Sequence, residues 1–373
     1  MLEITAFLKR KKMLGYITNF FISSFFYSIR NIVRHFPYKT GNILVISLHR
    51  IGDTAFTVPA IREIQHFYSK SITILCYEES FAIYNLAFKN IGYCKVSHND
   101  FFFGERIARR KVKKKVKKMK PEIIFDLTGV MRSAYLIYNL RALEIIGINR
   151  EYFKSIYDNY SPIRNTPHSV DIYLDAVCSK LPSINRNLLD DNTKNITGNK
   201  KILIHPFAGW KAKEWGLNKF LELAKTLKNK YEVIIISPSN RITKELIDEV
   251  NNEELELFES KSLEDLISKI KDSALVIGCD SGPQHLAHLL GKSTFIIYGP
   301  TNPDYHKPPG DKHVICKLQI SCSPRSGEKL CFTSGGRDGC PSYECMNKLS
   351  VKEVLMKLNT FISKINLNEK SIN

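Results

Sequence analysis

The stretch Gly278-Cys-Asp-Ser-Gly-Pro-Gln-His-Leu-Ala-His-Leu-Leu-Gly-Lys-Ser-Thr-Phe-Ile-Ile-Tyr-Gly-Pro300 sets the architecture of this chain. Ala274 to Gly278 is a short β-branched run ending in glycine, the pattern of a buried strand. Asp280 and Ser281 suit the cap of a following helix, Pro283 its first turn and Gly291 its end. Thr294 to Tyr298 is a second apolar strand. The turn therefore presents backbone N–H groups, a hydroxyl and the positive end of a helix dipole at the carboxyl end of a strand. That favours an anion, a phosphate above others. Taken alone, the same turn also fits an ordinary capped strand-to-helix junction.

Upstream of it, Lys201 to His205 is a strand and Pro206-Phe-Ala-Gly-Trp-Lys-Ala-Lys-Glu-Trp215 is the loop after it. A helix over about Leu217 to Lys228 and a strand over Tyr231 to Ser237 follow. Ser262-Leu-Glu-Asp265 has the form of a capping box. The first half follows the same logic. Asn42 to Ser47 is a buried strand, Leu48 to Thr57 a loop, Val58 to about Tyr68 a helix and Ser71 to Tyr77 a strand, so a parallel sheet is expected. The first loop is not Gly-x-Gly-x-x-Gly, which argues against a nicotinamide dinucleotide. Asp53 lies where loop meets helix, and a lone Asp there is also a natural helix cap. Glu122 to Leu127 is another strand. The turn Thr128-Gly-Val-Met-Arg-Ser133 after it puts Arg132 and Ser133 on the same sheet edge as Asp53. The polar run from Leu181 to about Lys200 marks a boundary between two domains.

The 373 residues are enough for two full cores. Lys plus Arg is 55 against 37 for Asp plus Glu, a formal charge of +18. Such an excess implies an acidic partner. Without zinc-finger spacing or an aromatic-rich ribonucleoprotein motif, nucleic acid is not indicated. Met13 to Ile29 is an uncharged run of 17 residues, rich in aromatics, preceded by Lys9-Arg10-Lys11-Lys12 and followed by Arg30, Arg34 and His35. It is marginal for spanning a bilayer and suits a helix lying on an anionic membrane surface, with packing on the protein itself as the alternative. Ten Lys or Arg residues over Arg106 to Lys120, with apolar residues at helical spacing, form a solvated basic helix face that can also lean on lipid headgroups. No small-residue cleavage site follows the first apolar run, which points to a reducing, cytoplasmic setting and against structural disulfides. The late cysteines run Cys322-x8-Cys331-x8-Cys340-x4-Cys345, which is not the paired Cys-x2-Cys of a structural zinc site; the cluster reads as structural, with zinc or a disulfide as the alternatives.

Four motifs, in order, resemble glycosyltransferase family 9, the ADP-heptose:lipopolysaccharide heptosyltransferases. They are Ile43 to Ile64 with Arg50-Ile-Gly-Asp53 and Pro59-Ala-Ile, Asp126 to Ser133, His205-Pro with Lys213-Glu-Trp215, and Gly278 to Pro300. Cys340 to Val351 also looks like the family's ending. The resemblance covers about residues 42 to 360. It implies an α/β protein of the GT-B fold, two Rossmann-like domains with parallel sheets facing a central cleft, here preceded by a basic amphipathic helix. Its expected division is 1–40 for the membrane-associating segment, 41–190 for an acceptor domain, 191–349 for a nucleotide-sugar donor domain and 350–373 for a C-terminal helix and tail.

The resemblance also implies inverting transfer of heptose from ADP-heptose to the lipopolysaccharide inner core, at the cytoplasmic face of the membrane, with an anionic glycolipid as acceptor. Another nucleotide sugar and surface glycan, or a non-catalytic glycan-binding module, are the alternatives. No Asp-x-Asp occurs, so no metal or other cofactor is expected and another cation must meet the leaving diphosphate. By matching position Asp53 is the general base, at a helix start that favours negative charge. Lys213 is the cation at the diphosphate. Gly209, Asp280, Ser281, Gly282 and His285 match donor-binding positions, and His49, Arg50, Arg132 and Ser133 are placed at an acidic acceptor. The chain departs from the family where Phe207 and Ala208 follow Pro206, which displaces the usual small residue and hydroxyl, and where Pro238-Ser-Asn replaces an expected ribose-binding carboxylate.

Overall fold

The computed structural model describes residues 2–148, 153–160, 168–181, 201–331, 340, 342–365 and 367, with the first helix's side chains from Thr18 onward. The chain divides into two compact units, 1–164 with 169–186, and 165–168 with 187–373. The expected boundary after Leu181 falls on residues outside those described.

The first unit holds strands β1 (Ile43–Ser47), β2 (Ile72–Tyr77), β3 (Gly92–Val96), β6 (Ile123–Asp126), β7 (Glu144–Gly147) and β8 (Asn159–Tyr160) in one sheet of order β3-β2-β1-β6-β7-β8. Every pairing in it is parallel. A small antiparallel ribbon joins β4 (Phe101–Phe102) to β5 (Ile107–Ala108). The helices are α1 (Leu2–Val33), α2 (Ile51–Phe67), α3 (Phe81–Ala87), α4 (Arg110–Lys118), α5 (Met131–Ile137) and α6 (Ser169–Cys178).

In the second unit β9 (Lys201–His205), β10 (Glu232–Pro238), β11 (Glu256–Ser260), β12 (Leu275–Cys279), β13 (Ser293–Tyr298) and β14 (His313–Lys317) form a parallel sheet of order β11-β10-β9-β12-β13-β14. Its helices are α7 (Leu217–Lys228), α8 (Lys244–Asn252), α9 (Leu263–Lys271), α10 (Gly282–Leu289), α11 (Pro303–His306), α12 (Glu344–Asn347) and α13 (Val351–Lys364). Both sheets thus have the doubly wound order, with the winding reversing beside β1 in one unit and beside β9 in the other. Such a reversal opens a crevice at the strands' carboxyl ends, where ligands of open α/β sheets bind.

The strands are legible because they are buried on both sides. β1 and β12 are buried throughout, as near-continuous aliphatic runs must be when helices cover both faces. The expected capping box of Ser262 with Asp265 forms, and a second joins Ser350 with Glu353. One boundary differs. The expected loop before Val58 is already helix from Ile51, with Pro59 inside it. Pro59 withholds an N–H from the turn before it. Residues Thr54 to Ala60 are nevertheless all buried, and packing of that face outweighs the local signal.

Helix α1 packs one face on the first unit and leaves another exposed. Phe26 is buried and stacks on Tyr138 at 4.2 Å. Arg30, also buried, donates to the Ala142 carbonyl at 2.9 Å and pairs with Asp158 at 2.7 Å. The other face leaves Phe20 and Phe21 each 67% exposed and Phe25 58%. The end of α1 is therefore part of the first unit's core as well as a candidate surface for lipid.

Gly278 shows how tightly the second switch point is built. It pairs with His205 of β9, and a Cβ on it would lie 2.5 Å from the His205 carbonyl oxygen and 2.6 Å from Gln284 Nε2. Both neighbours are buried, and one is backbone. Gly278→Ala is expected to cost about 1–3 kcal/mol, read as a lowered midpoint in urea unfolding; an unchanged midpoint would show that the strand gives way freely.

Candidate active site

The first unit's switch point is made by the segments leaving β1 and β6. The β1 exit is stapled to the β6 exit: the Leu48 amide donates to Thr128 Oγ1 at 2.9 Å, and His49 Nε2 bonds the Leu127 carbonyl at 2.9 Å. His49 is buried, and its carbonyl accepts from Ser80 Oγ at 2.7 Å. The ring of His49 ties two loops together through the Leu127 carbonyl. Ser133 is likewise buried, its hydroxyl donating to the Val130 carbonyl at 2.9 Å. It fixes the turn rather than facing outward.

Arg50 is exposed and is the backbone N-cap of α2, without a side-chain cap bond. Asp53 occupies the third position of that helix and is exposed. Among the described residues its carboxylate forms no hydrogen bond or ion pair, so it is not spent on capping. Arg132 is spent. Its guanidinium pairs with Glu105 and donates to the Tyr77 hydroxyl. Glu105 also holds His98 Nδ1 at 2.5 Å, and His98 stacks on Tyr77. Burial opposes ionisation of Glu105, but Tyr77, Arg132 and His98 outweigh it and hold its carboxyl below the usual range. An acidic ligand reaching Arg132 has to displace Glu105.

Asp126, quoted above only as the start of a motif, organises this edge. Its Oδ1 accepts from the Thr128 and Gly129 amides at 2.9 and 3.1 Å, and its Oδ2 from the Tyr157 hydroxyl at 2.8 Å. Full burial raises its pKa, and these donors together with Ser133 work against that rise.

In the second unit the loop after β9 and the turn after β12 are brought together. Lys213 Nζ lies 2.6 Å from Asp280 Oδ2 and 3.3 Å from the Asp280 carbonyl. Thr301 Oγ1 donates to the same Oδ2 at 2.8 Å. His285 Nε2 approaches Asp280 Oδ1 at 3.6 Å. Burial alone would raise the Asp280 pKa. The Lys213 ammonium, helped by His285 and His306, outweighs it and holds the carboxyl far below the ordinary range. Beside this pair α10 begins. Ser281 is its N-cap, with the hydroxyl turned to the Cys279 carbonyl at 3.1 Å rather than into the helix. Among the described residues the amides of Ser281 and Gly282 have no hydrogen-bond acceptor. A half-buried cation and two open N–H groups thus share one sheet edge, an arrangement suited to an anion.

The glycosyltransferase family 9 (heptosyltransferase) model matches residues 109–333. This chain belongs to glycosyltransferase family 9. It is 21% identical to lipooligosaccharide heptosyltransferase 2 of Campylobacter jejuni over 85% of this chain and 97% of that one. A shorter stretch, 32% of the chain, is 30% identical to lipopolysaccharide heptosyltransferase 1 of Campylobacter coli, covering 37% of it. Among solved structures, E. coli heptosyltransferase WaaC with ADP superposes with a TM-score of 0.64 at 14% identity, over 87% of this chain and 99% of that one. The E. coli ADP-heptose heptosyltransferase II gives 0.65 at 17% identity, over 87% and 99%. These likenesses establish the GT-B fold. The chain is accordingly a glycosyltransferase, and the two switch points are where the family's chemistry is to be sought.

Several residues around these two switch points escaped the sequence reading. Thr301 follows Pro300 directly, and only the fold shows its hydroxyl turned onto Asp280. Glu214 sits beside Lys213 and takes Arg241 Nη2 at 2.6 Å. Arg241 also lies over the Phe207 ring at 4.6 Å. Nothing in the sequence connects a residue after β10 to the loop after β9. The Glu105–Arg132–Tyr77 cluster is equally long-range. Gly209 is exposed, and a Cβ there would meet nothing within 4 Å.

Two expectations follow. Gly209→Ala should leave the thermal midpoint unchanged; loss of affinity for a donor without loss of stability would show that the ligand, not the fold, needs glycine there. The second unit also buries three neutral imidazoles. Burial lowers His205 and His288 to about 4 and His313 to about 2. Unfolded imidazoles titrate near ~6.5, so between that value and the lowered ones the unfolded chain binds more protons. Stability is whole above that window and falls as pH drops through it, by on the order of several kcal/mol in all. A midpoint that stayed flat from neutral pH into that window would contradict the burial of these rings.

Proposed function

We propose that this chain is an inverting, metal-independent heptosyltransferase that moves heptose from ADP-heptose to an acidic acceptor of the lipopolysaccharide inner core. The carrying observation is Lys213, held at 2.6 Å from Asp280 beside the open amides of Ser281 and Gly282. In this reading the acceptor hydroxyl attacks the anomeric carbon while the bond from that carbon to the diphosphate oxygen breaks. The hydroxyl proton passes to Asp53, and the charge that grows on the diphosphate is met by Lys213 and the amides at the start of α10. Asp280 orients Lys213, and His285 and Gly209 border the donor. Arg50 and, once released from Glu105, Arg132 meet the acceptor. Support for the donor comes from the WaaC structures, one holding ADP and another ADP-2-deoxy-2-fluoro heptose.

The same reading places the enzyme on the inner face of the cytoplasmic membrane. No helix of the described residues is long and apolar enough to cross a bilayer. Support for surface binding comes from the outward aromatics of α1 and the basic face of α4, whose Lys113 lies 4.2 Å over Tyr135 and 4.3 Å over Tyr138, the ring on which Phe26 stacks.

Asp53→Asn is a clean test because, among the described residues, the native carboxylate holds no hydrogen bond or ion pair. It should leave stability and donor binding unchanged and lower kcat by about 10²–10⁴-fold; unaltered turnover would remove Asp53 from the reaction. A thermal-shift panel of ADP-, GDP-, UDP- and CMP-sugars should favour ADP, and preference for another nucleotide would overturn the heptose assignment. Replacing Phe20, Phe21 and Phe25 by Ser should release the protein from anionic vesicles at an unchanged midpoint. Deleting the whole helix would confuse the test, since Phe26 and Arg30 belong to the core.

A further inference from the structure

The four late cysteines are scattered over Cys322 to Cys345, yet they converge. Cys322, Cys331, Cys340 and Cys345 all line one cavity of about 160 Å³ in the second unit. Its other walls include Ala212, next to Lys213, and Gly299 and Pro300 at the end of β13. None of the four is in a disulfide.

The frame around the cavity is well defined. The Cys331 amide donates to the Pro300 carbonyl at 2.9 Å. Cys322 lies in a tight turn in which the Ile320 amide donates to Ser323 Oγ at 3.0 Å. Cys345 stands in the first turn of α12, and Met346 after it packs so closely on Gly299 that an added Cβ would lie 3.0 Å from its side chain. The Tyr343 amide donates to Cys340 Sγ at 3.3 Å. An N–H directed at a sulfur is the kind of outer contact that orients a thiolate ligand.

We propose that Cys322, Cys331, Cys340 and Cys345 form a four-thiolate site for one soft divalent ion, zinc above all, that braces the chain leaving β13. Four sulfurs around one ion suit a tetrahedral centre with bonds of about 2.3 Å. Among the described residues no three His, Cys, Asp or Glu side chains are already gathered at coordinating distance. Binding an ion there requires the four thiols to move inward from the cavity wall. On binding, four S–H bonds give up their protons to solvent and four sulfur–metal bonds form, with no change of oxidation state. The brace acts on the site through Pro300 and Thr301, since Cys331 holds the former and the latter's hydroxyl holds Asp280. This site is separate from the proposed transfer chemistry, which uses no metal.

The full chain, reduced and stripped with a chelator, is titrated with zinc alone. One zinc per chain should survive gel filtration, raise the thermal midpoint and protect four thiols from an aromatic disulfide reagent. Cobalt in its place should give the visible spectrum of a tetrahedral tetrathiolate. Cys322→Ser with Cys345→Ser should abolish retention, and Cys178→Ser should not. Equal thiol reactivity with and without zinc overturns the proposal, as does a cobalt spectrum without sulfur ligation. Both readouts use the unaltered chain, so they decide even where the double variant does not fold. A stable disulfide between two of the four thiols in protein isolated without reductant, with no bound metal, also overturns it.

Discussion

Asp280 carries its negative charge inside the second unit, and its surroundings are built around that charge. Burial penalises the carboxylate, and Lys213 at 2.6 Å offsets the penalty together with Thr301 and His285. A buried pair of this kind is weak evidence for stability, because apolar side chains of equal volume often do as well. It does fix a loop. Lys213 sits at the end of a short 3-10 turn, Lys211–Lys213, on the segment leaving β9, and the pair ties that segment to the start of α10. On the proposed function, the pair holds an ammonium in place before the diphosphate arrives, so little reorganisation is left for the transfer step.

Sheet topology makes such a pair possible. In both units the first strand lies at the centre and its neighbours are added on one side and then the other. Segments leaving two adjacent parallel strands therefore meet over one edge although they are distant in sequence. In the second unit this joins Lys213 to Asp280. In the first it joins His49 to Leu127. Conformationally demanding residues mark the same places. Gly278 has no room for a side chain because β9 and Gln284 press against it, and Gly129 has a positive φ of 63° in the turn that Asp126 caps.

The first unit shows that charge and exposure cannot be equated. Arg132 reads as a free cation in the chain, but the 102–106 turn between β4 and β5, which includes Phe103, Gly104 and Glu105 at positive φ, carries Glu105 onto it. Helix α1 reads as apolar and basic, and its amphipathicity runs in an unexpected sense. Arg30 is on the buried face, paired with Asp158, while phenylalanines are on the exposed face. The buried guanidinium is held through both terminal nitrogens, by the Ala142 carbonyl and Asp158, while its Nε has no partner among the described residues.

The sequence by itself determined the parallel α/β class, the position of most strands and the strand–turn–helix form of Gly278–Pro300. These follow from short apolar runs, glycine and proline punctuation and capping residues, all of which act within a few residues of one another. Tertiary structure alone decided that Asp53 is not a cap, that His49 and Ser133 are buried, that Arg132 is occupied, that Thr301 reaches Asp280 and that Glu214 reaches Arg241. It also decided that four cysteines spaced eight, eight and four residues apart share one cavity. Each of these depends on which strand lies beside which. That order is set by packing over the whole sheet, and no local pattern encodes it.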